Sequence, residues 1–327
     1  RRTDKPVTAT PDKKRARGRD YARSRAGLRP DCFMGERRIV SIPPETKRHV
    51  LQFDVSEAAG FGEPMQIAVE LLLPAGKAPE TLFVCIPGGG MNRRYFDLPT
   101  PEGEAEVSFA RFMAALGHAV ALIDPIGVGE SSIPSDPYEL HPDRAAAANA
   151  EAVRQIVDGL RAGTLTDICP PARVLQIIAA AHSYGALLTV LQQAKAPIYD
   201  AVCLMGFHTC GLPAQINDYD RSLDPVAARA NLVELARKRF PMSTITMTPQ
   251  PSKRPVSAVS ATDVIYLTSS YMMMLPDMAT PDAAAIRCPV MLVLGDGDLH
   301  PNTHIMPSAY SASPDVTLIV LPETRHN

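Results

Sequence analysis

The sequence predicts an α/β fold: a mostly parallel β-sheet with helices on both faces, interrupted by a helical cap. Three observations predict it. Short apolar runs rich in β-branched residues alternate with segments of helical period, the pattern of strand–helix–strand crossovers. One run, beginning at Val174, stops abruptly at His182-Ser183-Tyr184-Gly185, and an Ala/Leu-rich helical pattern follows. Between Phe207 and about Ala285 the alternation breaks, and two helical patterns separated by a Pro/Ser/Thr-rich stretch replace it.

Taken in order, Arg48 to Val55 and Met65 to Pro74 read as strands joined by a turn at Gly60-Phe61-Gly62. A strand over 81–86 follows. Val107 to Gly117 has apolar residues at helical spacing and a terminal glycine, so it reads as a capped helix. Next come a strand at 119–123, an amphipathic helix from Asp143 to Leu160, and a strand at 174–181. After the break at Ser183 a helix runs to about Ala194, and a strand covers 201–205. In the insertion, helices are expected near Asp224–Arg239 and Ala261–Met274, joined by residues 241–257. Its most apolar part runs from Tyr271 to Met278; flexible Met272 and Met273 could line an acyl pocket or pack the cap onto the core. This divides the chain into a basic arm (1–30), a core (31–207 and 286–327) and a cap (208–285).

Composition narrows the function classes. A 46% hydrophobic fraction over 327 residues supplies a sizeable core. A net charge of −2 implies neither a nucleic-acid partner nor an anionic membrane. The first thirty residues carry eleven Lys/Arg against three Asp and almost nothing apolar, so they read as a disordered arm. No apolar run approaches the ~20 residues of a membrane span, and the N-terminus lacks the apolar core of a secretory signal. The expectation is a cytoplasmic protein. Its six cysteines include no C-x-x-C pair. Cys85, Cys203 and Cys288 fall in or beside strands, where a reduced thiol packs as a small hydrophobe.

A serine at the point where a buried strand turns sharply into a helix is a nucleophile elbow. The turn lifts the Ser183 hydroxyl off the sheet edge and aims the Tyr184 N–H at a carbonyl that the serine attacks. Small residues two places away on either side allow strand and helix to approach. Gly185 and Ala181 occupy those places, Ala181 standing where glycine is usual.

Around this elbow, from about residue 50 onward, the chain resembles the α/β-hydrolase superfamily. Four further segments carry the resemblance. The run Thr81 to Pro87 followed by Gly88-Gly89-Gly90-Met91 looks like the strand and oxyanion loop. Asp124, Gly127, Gly129 and Ser131 match a D-x-x-G-x-G-x-S loop that braces the oxyanion region. Pro289 to Asp298 looks like the strand that ends in the acid, and Val316 to His326 like the last strand with its histidine. The resemblance implies an α/β-hydrolase fold and a triad in the chain order Ser183, Asp298, His326. It also implies a helix after the histidine, where this sequence has only Asn327.

The chemistry needs these residue types. A serine hydroxyl is a poor nucleophile without a base in hydrogen-bond reach, so His326 would take the Ser183 proton and return it to the leaving group. A carboxylate must hold the imidazole in the right tautomer: Asp298 by the family pattern, with Asp296 as the alternative. Backbone donors must meet the negative charge of the tetrahedral intermediate, and the Tyr184 N–H with that of Gly89 or Gly90 would supply them. Met91 and His208 are further candidates for the substrate pocket. His182 reads as a packed strand-edge residue. His300 and His304 with Asp296 and Asp298 lack any metal-ligand spacing, so no metal and no cofactor are expected. The expected function is a serine hydrolase that cleaves a carboxylic ester or related acyl bond of a small, apolar substrate. The alternatives are a thioesterase or acyltransferase, a carbon–carbon bond hydrolase, or a non-catalytic binding protein on the same scaffold.

Overall fold

The computed structural model describes residues 47–74, 77–98, 108–167, 169–212, 214–241, 267–299 and 302–326. The chain divides into two units, 1–40 and 41–327, and the described residues all belong to the second. The basic arm, His300, residues 242–257 of the Pro/Ser/Thr-rich stretch and the start of the helix expected from Ala261 lie outside them.

The sheet grows from the two N-terminal strands. β1 (Lys47–Asp54) pairs antiparallel with β2 (Gln66–Leu73), and one helical turn, α1 (Ser56–Ala59), lies between them. The remaining elements follow the alternation read from the sequence: β3 (Thr81–Ile86), α2 (Phe109–Ala115), β4 (Ala119–Ile123), α3 (Pro142–Ala162), β5 (Gln176–His182), α4 (Tyr184–Lys195) and β6 (Ala201–Met205). Among the described residues five short helices come next: α5 (Asp218–Ser222), α6 (Pro225–Ala230), α7 (Leu232–Arg239), α8 (Leu267–Met274) and α9 (Thr280–Ala285). β7 (Val290–Gly295) and β8 (Val316–Leu321) complete a sheet of order β1-β2-β4-β3-β5-β6-β7-β8. β2 runs against its neighbours, and every pairing from β4 through β3 to β8 is parallel.

Period-two alternation sorts the strand side chains onto two faces. Leu82, Val84 and Ile86 of β3, with Ala119, Ala121 and Ile123 of β4, enter the larger apolar cluster with α3 and α4. Cys85, Val120 and Leu122 point the other way, into a smaller cluster with Ala110 and Ala114 of α2. Helix ends follow local rules. Ser108 caps α2, its Oγ accepting from the Arg111 N–H at 3.0 Å, and α3 stops at Gly163, whose φ of +69° suits glycine.

The helix expected over Asp224–Arg239 is two helices. Asn231 interrupts it with φ −115°, and its side-chain amide donates to the Ala227 carbonyl at 2.9 Å, an alternative to helical pairing. α7 and α8 lie against each other, and α8 reaches the short turn 137–139, where Thr268 Oγ1 donates to the Tyr138 carbonyl at 2.6 Å. No described helix is long and apolar enough to cross a membrane.

Candidate active site

The C-terminal ends of adjacent parallel strands lie side by side, and each strand from β5 to β8 delivers its site residues there. β5 ends in His182, and Ser183 follows with φ +49° and ψ −113°, a strained conformation for a residue with a Cβ. The Ser183 N–H donates to the Met205 carbonyl at 2.8 Å, tying the elbow to β6. Gly185 is indispensable to this turn: a Cβ there would overlap the carbonyl oxygens of Ile86 and Pro87 at the end of β3.

The segment after β3 is a tight turn. The Met91 N–H bonds the Gly88 carbonyl at 3.2 Å, and Gly90 takes φ +74°, the positive value a type II turn needs at its third residue. Gly89 lies close to the helix start, since a Cβ on it would sit 3.6 Å from Tyr184 Cβ. Tyr184 is the first residue of α4, so its N–H belongs to the positive end of a twelve-residue helix. The loop after β4 braces this turn. Asp124 is fully buried and accepts from the Arg93 N–H at 2.6 Å, from the Arg93 guanidinium and from the Glu130 N–H at 3.0 Å. Arg93 had no assignment in the sequence; its signal was a basic residue just beyond a glycine turn, opposite a buried aspartate.

From β7, Gly295 leads into Asp296 and Asp298, which face different ways. Asp298 has a side chain only 1% exposed and its Oδ1 lies 2.7 Å from His326 Nδ1. Asp296 is exposed, and its Oδ1 accepts from the Thr324 N–H at 3.3 Å. The alternative acid therefore ties down the loop that carries the histidine. Gly295 is needed here too, because a Cβ would overlap the Thr324 carbonyl. His326 Nε2 stands 2.9 Å from Ser183 Oγ. A continuous hydrogen-bonded relay thus runs from Asp298 through His326 to Ser183.

Burial opposes the charge on Asp298, but the adjacent His208 and hydrogen bonds from His326 and the Leu299 N–H outweigh it and hold the carboxyl well below the usual carboxylate range. An ionised Asp298 selects the His326 tautomer with its proton on Nδ1, leaving Nε2 to accept from the serine. His208 is placed against the acid: its Nε2 is 3.9 Å from Asp298 Oδ2, and its side chain is 3% exposed. The end of β6 must lie beside the end of β7, which brings the two together. Met272 is 1% exposed and sits in the larger apolar cluster, with Met273 packed against it, so Met272 occupies the packing position. Met91 is partly buried at the end of the glycine turn. His304 is exposed on a short helical segment, 303–309. Among the described residues no three His, Cys, Asp or Glu side chains are grouped to hold a metal ion.

The model of the alpha/beta hydrolase family matches residues 83–327, three-quarters of the sequence and every segment that contributes to this site. The chain belongs to the alpha/beta hydrolase family. No curated protein gives a significant match. Solved structures share the α/β-hydrolase fold at low identity. A bromoperoxidase from Bacillus anthracis is 14% identical, with a TM-score of 0.51, over 85% of this chain and 93% of its own. A thermophilic esterase from Thermogutta terrifontis is 14% identical, with a TM-score of 0.52, over 85% and 91%. An epoxide hydrolase from Vigna radiata is 12% identical, with a TM-score of 0.51, over 86% and 92%. These α/β hydrolases share an architecture that hosts several chemistries, so the choice among them must come from the site.

Proposed function

We propose that this α/β hydrolase cleaves a carboxylic ester or related acyl bond through an acyl-Ser183 intermediate. The observation that carries this reading is the relay from Asp298 to Ser183, with links of 2.7 and 2.9 Å. His326 Nε2 takes the hydroxyl proton as Ser183 Oγ attacks the carbonyl carbon, and Asp298 stabilises the imidazolium that forms. The carbonyl oxygen becomes an oxyanion and accepts hydrogen bonds from the Tyr184 N–H and from the Gly89 N–H, with Gly90 next in line. His326 then returns its proton to the leaving alcohol. Water repeats the sequence on the acyl-serine, releasing the acid and restoring the hydroxyl. In this reading the helical segment after β6 caps a small, apolar substrate, and Met91 and Met273 contribute to its pocket.

A serine at the elbow supports this chemistry over ester formation by a carboxylate nucleophile. A thioesterase or acyltransferase would use the same relay, and CoA esters or added alcohols as substrates separate them. Ring-cleavage diketones test the carbon–carbon alternative. The decisive experiment is intact-mass labelling with a fluorophosphonate, comparing the protein with Ser183→Ala. One adduct on the wild type and none on the variant is the expected result, followed by turnover of a p-nitrophenyl ester series. Absence of an adduct on folded wild-type protein would overturn the acyl-serine reading and favour a binding role for the scaffold.

A further inference from the structure

The residue before the elbow serine makes contacts that no part of the proposed reaction uses. His182 is 4% exposed at the end of β5, and its imidazole lies among three segments of the site. Its Nε2 is 2.8 Å from the main-chain carbonyl of His326. Its ring stacks on Tyr95, with centroids 5.0 Å apart and planes 20° from parallel. Two glycines shape its berth: a Cβ at Gly88 would lie 2.7 Å from His182 Nδ1, and one at Gly206 would lie 2.9 Å from Nε2. A carbonyl only accepts, so Nε2 carries the hydrogen and, in the neutral ring, Nδ1 is the bare nitrogen. Nδ1 has no hydrogen-bond partner and faces Gly88, so this imidazole is not aimed as a second base. Burial, followed by the nearby His326, pushes its pKa down to about 4, which keeps the ring neutral near pH 7.

We propose that His182 is a positioning residue, whose Nε2–H clamps the His326 carbonyl and thereby sets the direction in which the His326 imidazole meets Ser183. This rests on the reading of Ser183, His326 and Asp298 as the reacting relay. The segment 322–326 is largely exposed and needs tethers. Two of them act on Thr324: the Gly297 N–H donates to its carbonyl at 3.0 Å, and its own N–H reaches Asp296 at 3.3 Å. The His182 bond acts on the His326 peptide itself. With that peptide fixed at one end and Nδ1 fixed by Asp298 at the other, the two side-chain torsions have little freedom. Nε2 is then held toward Oγ. His182 and Ser183 are adjacent in the chain, so a single link registers the base to the nucleophile.

The test compares wild type, His182→Phe, His182→Gln and Ser183→Ala. Phenylalanine keeps a stacking ring and deletes the donor; glutamine places an N–H near the position of Nε2. Fluorophosphonate labelling gives the maximal inactivation rate and the half-saturating probe concentration separately, with thermal melts run alongside. His182→Phe should lower the maximal rate by roughly 10- to 100-fold, the scale on which small misplacement of reacting groups acts. The half-saturating concentration should stay put, and glutamine should restore most of the rate. A low-field proton resonance of the His326 Nδ1–H is expected in wild type; it should broaden or vanish in His182→Phe and return in His182→Gln. Tyr95→Leu keeps the donor but frees its ring, should fall between, and serves if His182→Phe does not fold. Wild-type rates and an unchanged resonance in the folded donor-less or Tyr95→Leu protein would overturn the clamp. A wild type that takes no adduct overturns the acyl-serine reading instead, and the resonance comparison then decides the clamp by itself.

Discussion

At the scale of single residues, the site depends on buried groups whose protonation is tied to folding. His182 has its pKa lowered to about 4 from an ordinary 6.5, chiefly by burial and then by His326. The unfolded chain therefore binds a proton that the folded chain refuses between those values, and stability falls as pH drops from about 6.5 toward 4. Asp298 has the same sign at lower pH. Burial opposes its charge, but its hydrogen bonds win, so its contribution is present above the ordinary carboxylate range and is lost in stronger acid. Urea unfolding at several pH values should show stability declining below pH 6.5. In His182→Gln, which has no titrating ring, the decline between 6.5 and 4 should be shallower. Ser183, Asp298 and His326 were legible because each follows a strand in a recognisable segment. The family pattern favoured Asp298 over Asp296, and the geometry agrees, with Asp298 on the imidazole and Asp296 on the Thr324 N–H.

At the scale of elements, the loops at the strand ends are cross-braced by charge. Arg93 is 6% exposed and meets Asp124, Glu130 and, at 3.6 Å, Glu70. Ser131 adds a neutral tie, its Oγ donating to the Asp124 carbonyl at 2.5 Å and accepting from the Ala68 N–H at 2.8 Å. Removing one partner of such a buried pair leaves the other uncompensated, which typically costs about 3–5 kcal/mol. Asp124→Ala should lower the unfolding free energy on that scale, as read by urea titration. The glycine spacing of this loop was visible in the sequence. Its partner was not, because Arg93 is thirty-one residues away and meets Asp124 only once β3 and β4 lie side by side. The helical segment after β6 shows the same limit. Its helical periods were readable, but Asn231 split one of them through a side-chain bond that periodicity does not register.

At the scale of the whole molecule, the sheet is covered unequally. The face toward α3 and α4 is closed, and Leu292 of β7 is 0% exposed within it. On the opposite face α2 covers the strands around β3 and β4, while Met291, Ile319 and Leu321 of β7 and β8 remain 41%, 39% and 40% exposed. Leu292→Ala should cost about 2–5 kcal/mol, as buried leucines do. Ile319→Thr should change stability by about 0.5 kcal/mol or less, as surface substitutions do. Denaturant midpoints of the two variants measure the contrast directly.

The sequence by itself determined the alternation of strands and helices, the elbow at Ser183, the glycine that ends α2 and the small Gly185 that permits close approach. These follow from side-chain period, turn chemistry and steric size, all of which act within a few residues. Only the tertiary structure decided that His208 backs the acid, that Asp296 ties down the Thr324 N–H, that Met272 packs in the core, and that His182 holds the His326 carbonyl. Each depends on parallel register, which brings the ends of β5, β6, β7 and β8 together from segments up to 144 residues apart. Contacts of that range are set by the packing of the whole sheet, and no local pattern encodes them.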